Sequence, residues 1–128
     1  MRIIGGNLRG KNILNPTDKS TRPLKDMVRE SIFNIIENSK NEYVELDNAK
    51  VLDLFSGTGS FGIECLSRGA KKVIFFENYK NSIKILKKNL DLLNLNKQSK
   101  IIEKDAYNIT QSQNNLLKFD LIFLDKSP

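Results

Sequence analysis

One stretch of this chain gathers most of the residues that can do chemistry. Asp53-Leu54-Phe55-Ser56-Gly57-Thr58-Gly59-Ser60-Phe61-Gly62 sets Gly57, Gly59 and Gly62 at the spacing G-x-G-x-x-G, between an apolar run and a helix-forming segment. Glycines so spaced let the backbone turn sharply and let a ligand come close to it. Nucleotide binders of several kinds share that triplet, and two carboxylates narrow the choice. Asp53 lies four residues before the first glycine, where a nicotinamide-type fold usually has an apolar residue. An acid there disfavours a pyrophosphate. Glu77 ends the next apolar run, where a carboxylate can accept hydrogen bonds from both ribose hydroxyls. The combination favours a cationic nucleoside with an amino-acid tail, and S-adenosylmethionine has both a sulfonium and such a tail. Asp105, just past a third apolar run, fits a contact to an adenine amine. Each carboxylate also has a structural reading, Asp53 as the cap of a helix at Ser60, Glu77 and Asp105 as caps of the helices that follow them.

Composition limits the alternatives. The 128 residues include no histidine and one cysteine, Cys65, which removes disulfides, ordinary zinc sites and any imidazole base. No metal is expected, and the chemistry falls to carboxylates, hydroxyls, backbone groups or a borrowed cofactor. Cys65 sits among apolar neighbours on a helix and reads as core. At 39% hydrophobic and 28% charged, the chain has the make-up and length of one soluble globular domain. No apolar run approaches the roughly 20 residues that span a bilayer. The opening MRIIGGNLRGKNIL carries charge and glycines where a signal peptide needs an apolar core, so a cytoplasmic protein is expected. Of the net charge of +6, residues 1–29 hold +5. A basic arm on a near-neutral body points to a polyanion, nucleic acid before membrane, or more blandly to a solubilising tail. Lys71-Lys72 and Lys84, Lys87 and Lys88 read as solvated faces.

The elements that must hold these residues follow from periodicity. Ile3-Ile4, Gly5-Gly6, Gly10 and Ile13-Leu14 give two short strands around a basic turn, and Asn15-Pro16 breaks them. Thr21-Arg22-Pro23 opens a helix whose apolar side is Met27, Val28, Ile32, Ile35 and Ile36, and which stops at 38–41. Val51–Phe55, Val73–Phe76, Lys100–Glu103 and Phe119–Leu124 read as buried strands. Gly62–Ser67, residues 80–94 and a weaker stretch before Phe119 read as the helices between them. Strand–helix alternation predicts an α/β fold, a parallel sheet covered on both faces. The chain stops at Pro128, four residues past its fourth strand, leaving a long edge open; a longer protein is the expectation.

These segments together resemble the bacterial 16S ribosomal RNA guanine-N2 methyltransferase family. RIIGGNLRGKNI is similar to its N-terminal hairpin, TRPLKDMVRESIFNII to its TRP…D-x-VRE-x-x-FN helix, and DLFSGTGSFGIECLSRGAKKVIFFE to its cofactor loop and second strand. The TRP–VRE–FN element is the discriminating one, since every class I methyltransferase shares the glycine loop. The resemblance implies a class I methyltransferase, Rossmann-like sheet with its first four core strands, and S-adenosylmethionine as cofactor. The cofactor would lie on Asp53, Phe55, Gly57, Gly59 and Gly62, with its ribose at Glu77 and its adenine near Asp105 and Ala106. It also implies action on 16S ribosomal RNA or an assembling small subunit, and further strands after this point. Residues 1–45 would form an RNA-contacting hairpin and helix, and 46–128 the cofactor domain. Arg2, Arg9, Lys11, Arg22 and Arg29 would grip phosphates. Arg22 and Arg29 are the preferred contacts, unless either pairs internally with Asp26 or Glu30.

The family ends its fourth strand with D-P-P-Y or D-P-P-F, whereas this chain reads Asp125-Lys126-Ser127-Pro128. Asp125 keeps the carboxylate that can hold a guanine amine and aim its delocalised lone pair at the methyl group, and is the expected catalytic residue. The proline-fixed geometry and the aromatic that stacks on a flipped base are missing. Other readings stay open: a class I methyltransferase for protein glutamine or a small molecule, a non-catalytic cofactor- or RNA-binding fragment, or a nicotinamide oxidoreductase.

Overall fold

The computed structural model describes residues 1–15, 26–38, 45–106 and 118–124. Its elements run α1 (Asp26–Asn38), β1 (Lys50–Asp53), α2 (Ser60–Ser67), β2 (Lys72–Phe76), α3 (Lys80–Leu92), a 3-10 turn (Asn96–Gln98), β3 (Ser99–Ile102) and β4 (Leu121–Phe123). Before them, residues 1–15 form a hairpin with one antiparallel bridge, Arg2 to Asn12. Ile3 N–H donates to the Lys11 carbonyl and Ile13 N–H to the Met1 carbonyl. No helix among the described residues is long and apolar enough to cross a membrane.

The four strands form one parallel sheet in the order β3-β2-β1-β4. Strands with β-branched and aromatic residues on both faces need cover, and alternation along each strand separates two clusters. Val51, Val73, Phe75, Leu121 and Phe123 face the larger one, with Phe33 of α1, Phe61 and Ile63 of α2, and Leu86 and Leu90 of α3. Ile3 and Ile13 of the hairpin join the same cluster, so the division expected at 45/46 runs through a single core. Leu52, Leu54, Phe76 and Ala106 form the smaller cluster on the other face, against Ile74, Ile102 and Phe119. All three described helices therefore contribute to one face. The helix expected before Phe119 falls outside the described residues. Ile122 and Leu124 at the β4 edge are exposed.

Helix ends follow local chemistry. Gly69, at φ +107, closes α2 after Arg68, as the glycine there predicts. Asn94 takes the left-handed conformation at φ +57, and Leu95 N–H returns to the Leu90 carbonyl, which stops α3 two residues early. Helix α1 is a correction. Met27, Val28 and Ile35 of its expected apolar side are exposed, while Arg29 and Phe33 are fully buried and Ile32 and Ile36 half-buried. A buried carboxylate on α2 draws Arg29 inward and turns the helix with it, as described below.

Candidate cofactor and nucleic-acid site

The strand order reverses at β1: β2 and β3 lie on one side, and β4 returns to the other. In an open parallel sheet the crevice beyond the strand ends at such a switch is where ligands bind, because the loops diverge there. The glycine loop leaves β1 at that place. Leu54 N–H donates to the Phe123 carbonyl at 3.1 Å and Ser56 N–H to the Phe76 carbonyl at 3.1 Å, so the loop begins tied to both neighbouring strands. Ser56 Oγ donates back to the Asp53 carbonyl at 3.0 Å, and Gly59 N–H to the Ser56 carbonyl at 2.8 Å.

Gly59 has φ +92, where a side chain is strained, and a Cβ there would overlap Leu86 of α3. A Cβ on Gly62 would overlap Phe75 of β2, so this third glycine lets α2 lie close on the sheet. Gly57, at φ +56, donates its N–H to Glu77 Oε1 at 2.7 Å. Glu77 Oε2 accepts from the Asn78 and Tyr79 amides at 3.2 and 3.0 Å. Glu77 thus bridges the glycine loop to the turn after β2. These three bonds leave about one of a carboxylate's four acceptor positions for a ligand.

Asp53 ends β1 and is 1% exposed. It does not cap α2, whose first turn has no side-chain cap. Glu77 does not cap the first turn of α3 either, but braces the two residues before it. Asp105 is half-buried just beyond β3, beside buried Ala106, and Phe55 is half-buried against the smaller cluster. Phe61, in the first turn of α2, stacks on Phe123 at 3.6 Å between ring centres and on Phe33 at 5.1 Å, joining the loop, the end of β4 and α1. Asp125 lies outside the described residues. No group of three or more His, Cys, Asp or Glu among them could hold a metal.

The hairpin lies against α2 and α3. Arg2, Arg9 and Lys11 are exposed on it, as an interface to a polyanion needs. Arg22 is outside the described residues. Arg29 does not join the exposed set: its guanidinium is fully buried, 3.5 Å from Glu64, and donates to the Arg2 carbonyl at 2.7 Å. Among the described residues it pairs internally with Glu64. Glu64 is itself fully buried and accepts from the Ile4 and Gly5 amides at 3.0 and 2.9 Å and from Arg68 Nε at 2.9 Å. Arg68 also pairs with Glu37 at 3.2 Å and lies over the Phe33 ring at 4.6 Å. Burial alone would lower its pKa; hydrogen bonding and charge from Glu64 and Glu37 reverse that and raise it. Ser67 Oγ accepts from Leu8 N–H and donates to the Gly5 carbonyl. Sequence reasoning missed Glu64 and also Asn89, which bonds both the hairpin and the glycine loop. The available signal is a polar residue at an apolar helical position, between Ile63 and Cys65 for one and beside Leu90 for the other.

The fold agrees with what the chain is similar to. It is 41% identical over 106 residues to the Bacillus subtilis protein named "Putative rRNA methyltransferase YlbH", covering 83% of this chain and 54% of that protein. It is 36% identical over 126 residues to "Ribosomal RNA small subunit methyltransferase D" of Haemophilus influenzae, covering 98% of this chain and 62% of that one. The solved structure of "Putative methyltransferase yhhF" from Escherichia coli superposes with a TM-score of 0.71 at 30% identity, over 85% of this chain and 55% of that one. The chain thus spans a little over half of these relatives, and its sheet is the class I methyltransferase type, Rossmann-like and α/β. With a family model matching residues 1–126, the chain belongs to the family described as Conserved hypothetical protein 95.

Proposed function

We propose that the chain binds S-adenosylmethionine at the switch between β1 and β4 and serves methyl transfer to the exocyclic amine of a guanine in 16S ribosomal RNA. The carrying observation is the donor set around one loop. Asp53 and Glu77 stand at the ends of adjacent parallel strands, and a glycine turn pinned to Glu77 by 2.7 Å runs between them. That set fits a ligand with a cationic amino-acid end and a ribose, and the names of the relatives support the same reading.

When bound, S-adenosylmethionine supplies a methyl group on a charged sulfonium, whose departure as a neutral thioether drives displacement. The protein's task is then proximity, in-line orientation and exclusion of water. Asp53 would hold the ammonium end, Glu77 the ribose through its remaining acceptor position, and Asp105 with Ala106 and Phe55 the adenine. Gly57, Gly59 and Gly62 let the loop run close beneath. Leu124 follows β4 where Phe123 is bonded to the loop, and Asp125 is next in sequence. Its carboxylate would accept a hydrogen bond from the guanine amine and aim the nitrogen lone pair. Arg2, Arg9, Lys11 and Arg22 would hold phosphates.

Calorimetry with S-adenosylhomocysteine tests the cofactor half: binding to the wild-type chain, and none to Asp53→Ala, is the expected result. Tritiated methyl transfer tests the rest, with label in 16S RNA and loss of label in Asp125→Ala. Label in protein instead would move the substrate to a glutamine side chain. Binding without any label would leave a cofactor-binding fragment.

A further inference from the structure

We propose that Asn89 is a positioning residue that couples the basic hairpin to the glycine loop, so that cofactor and RNA strengthen each other's binding. The inference rests on the cofactor and RNA reading above. Asn89 lies on α3 between the two and is 1% exposed. Its Oδ1 accepts from the Leu14 N–H at 2.7 Å, and its Nδ2 donates to the Leu14 carbonyl at 3.3 Å. The same Nδ2 donates to the Thr58 carbonyl at 3.0 Å. Leu14 follows the hairpin bridge at Asn12, and Thr58 stands between Gly57 and Gly59.

One primary amide has two donor hydrogens and a carbonyl acceptor, and this arrangement uses all three functions. Few side chains of its size can do the same. A carboxylate would face two carbonyls with no hydrogen to offer, and leucine would leave buried backbone groups unpaired. Helix packing alone favours an apolar residue here, since Leu86 and Leu90 on the same face are fully buried. The polar group is therefore explained by what it joins. Leu86 also underlies Gly59, so a shift of the loop is felt by α3 at two places. Ordering the loop on a ligand orders Asn89, and through it the arm of the hairpin that carries Lys11. Linkage makes the effect reciprocal.

The test measures RNA affinity with and without S-adenosylhomocysteine, and the affinity for S-adenosylhomocysteine with and without a 16S RNA transcript. In the wild type each ligand should tighten the other by the same factor, roughly five-fold or more. Asn89→Asp should bring that factor to one. Ser67→Ala, which loosens the hairpin turn without touching the glycine loop, should weaken RNA binding and keep the factor. Amide exchange in the wild type needs no variant to fold: the Leu14 N–H should slow on saturation with S-adenosylhomocysteine, while the Ile4 N–H, held by Glu64, should not. Binding of S-adenosylhomocysteine with Leu14 exchange unchanged overturns the coupling and leaves the cofactor reading standing. A folded Asn89→Asp that keeps the factor overturns it equally. If the wild type binds no S-adenosylhomocysteine, the cofactor reading itself fails and the coupling with it.

Discussion

Cys65 is fully buried on α2, and its thiol pKa is raised, first by burial and then by the negative charges of Asp53 and Glu64. Folding therefore favours the neutral thiol. That contribution to stability is whole below the ordinary thiol pKa of about 8.5 and is lost as pH climbs above it, because the unfolded chain ionises first. Urea midpoints from about pH 7 to about pH 10 should fall more steeply in the wild type than in Cys65→Ala, whose remaining groups titrate alike. Parallel slopes would show that the thiol ionises alike in the folded and unfolded states, against the raised pKa. A second test at this scale concerns Gly59. With φ +92 and Leu86 against the place a Cβ would take, Gly59→Ala should cost about 1–3 kcal/mol in urea unfolding and weaken S-adenosylhomocysteine binding. Gly57, Gly59 and Gly62 were all legible as a loop motif. Their separate duties were not, since only packing reveals that Gly62 makes room for Phe75.

At the scale of elements, α1, α2 and the hairpin share a buried charge cluster beside their apolar core. Glu64 has two guanidiniums and two backbone amides around it, and Arg29 reaches across to the Arg2 carbonyl. Removing one partner of a buried pair strands the other charge, so Arg29→Met should cost about 3–5 kcal/mol. Arg9→Met, on the exposed hairpin, should change stability by less than about 0.5 kcal/mol. Urea denaturation of the two variants distinguishes a structural arginine from a surface one, and equal losses would contradict the burial of Arg29. This cluster also explains the turn of α1 away from its expected face. Periodicity weights Met27, Val28 and Ile35 as inward, but it treats arginine as outward by type. A carboxylate on another helix reverses that preference, and nothing within α1 announces it.

For the molecule as a whole, the sheet order puts a loop and a strand end at one switch point, and the hairpin adds three exposed cations beside the same core. If Arg2, Arg9 and Lys11 each displace one counterion from single-stranded RNA, neutralising all three should reduce the slope of log affinity against log salt by about two. Filter binding across a salt series measures this, and an unchanged slope would place the RNA elsewhere. Much of this architecture is local in origin. Alternating strand and helix periods, a glycine triplet and two strand-end carboxylates are set by residues near one another in the chain, so the sequence by itself determined the α/β class, the parallel sheet and the candidate cofactor loop. Only the tertiary structure decided that Arg29 goes inside, that Glu64 gathers the hairpin, and that Asn89 spans Leu14 and Thr58. Those contacts join residues 31 to 75 positions apart. A buried polar group declares its partner through burial and distance, neither of which a residue's type or its spacing along the chain contains.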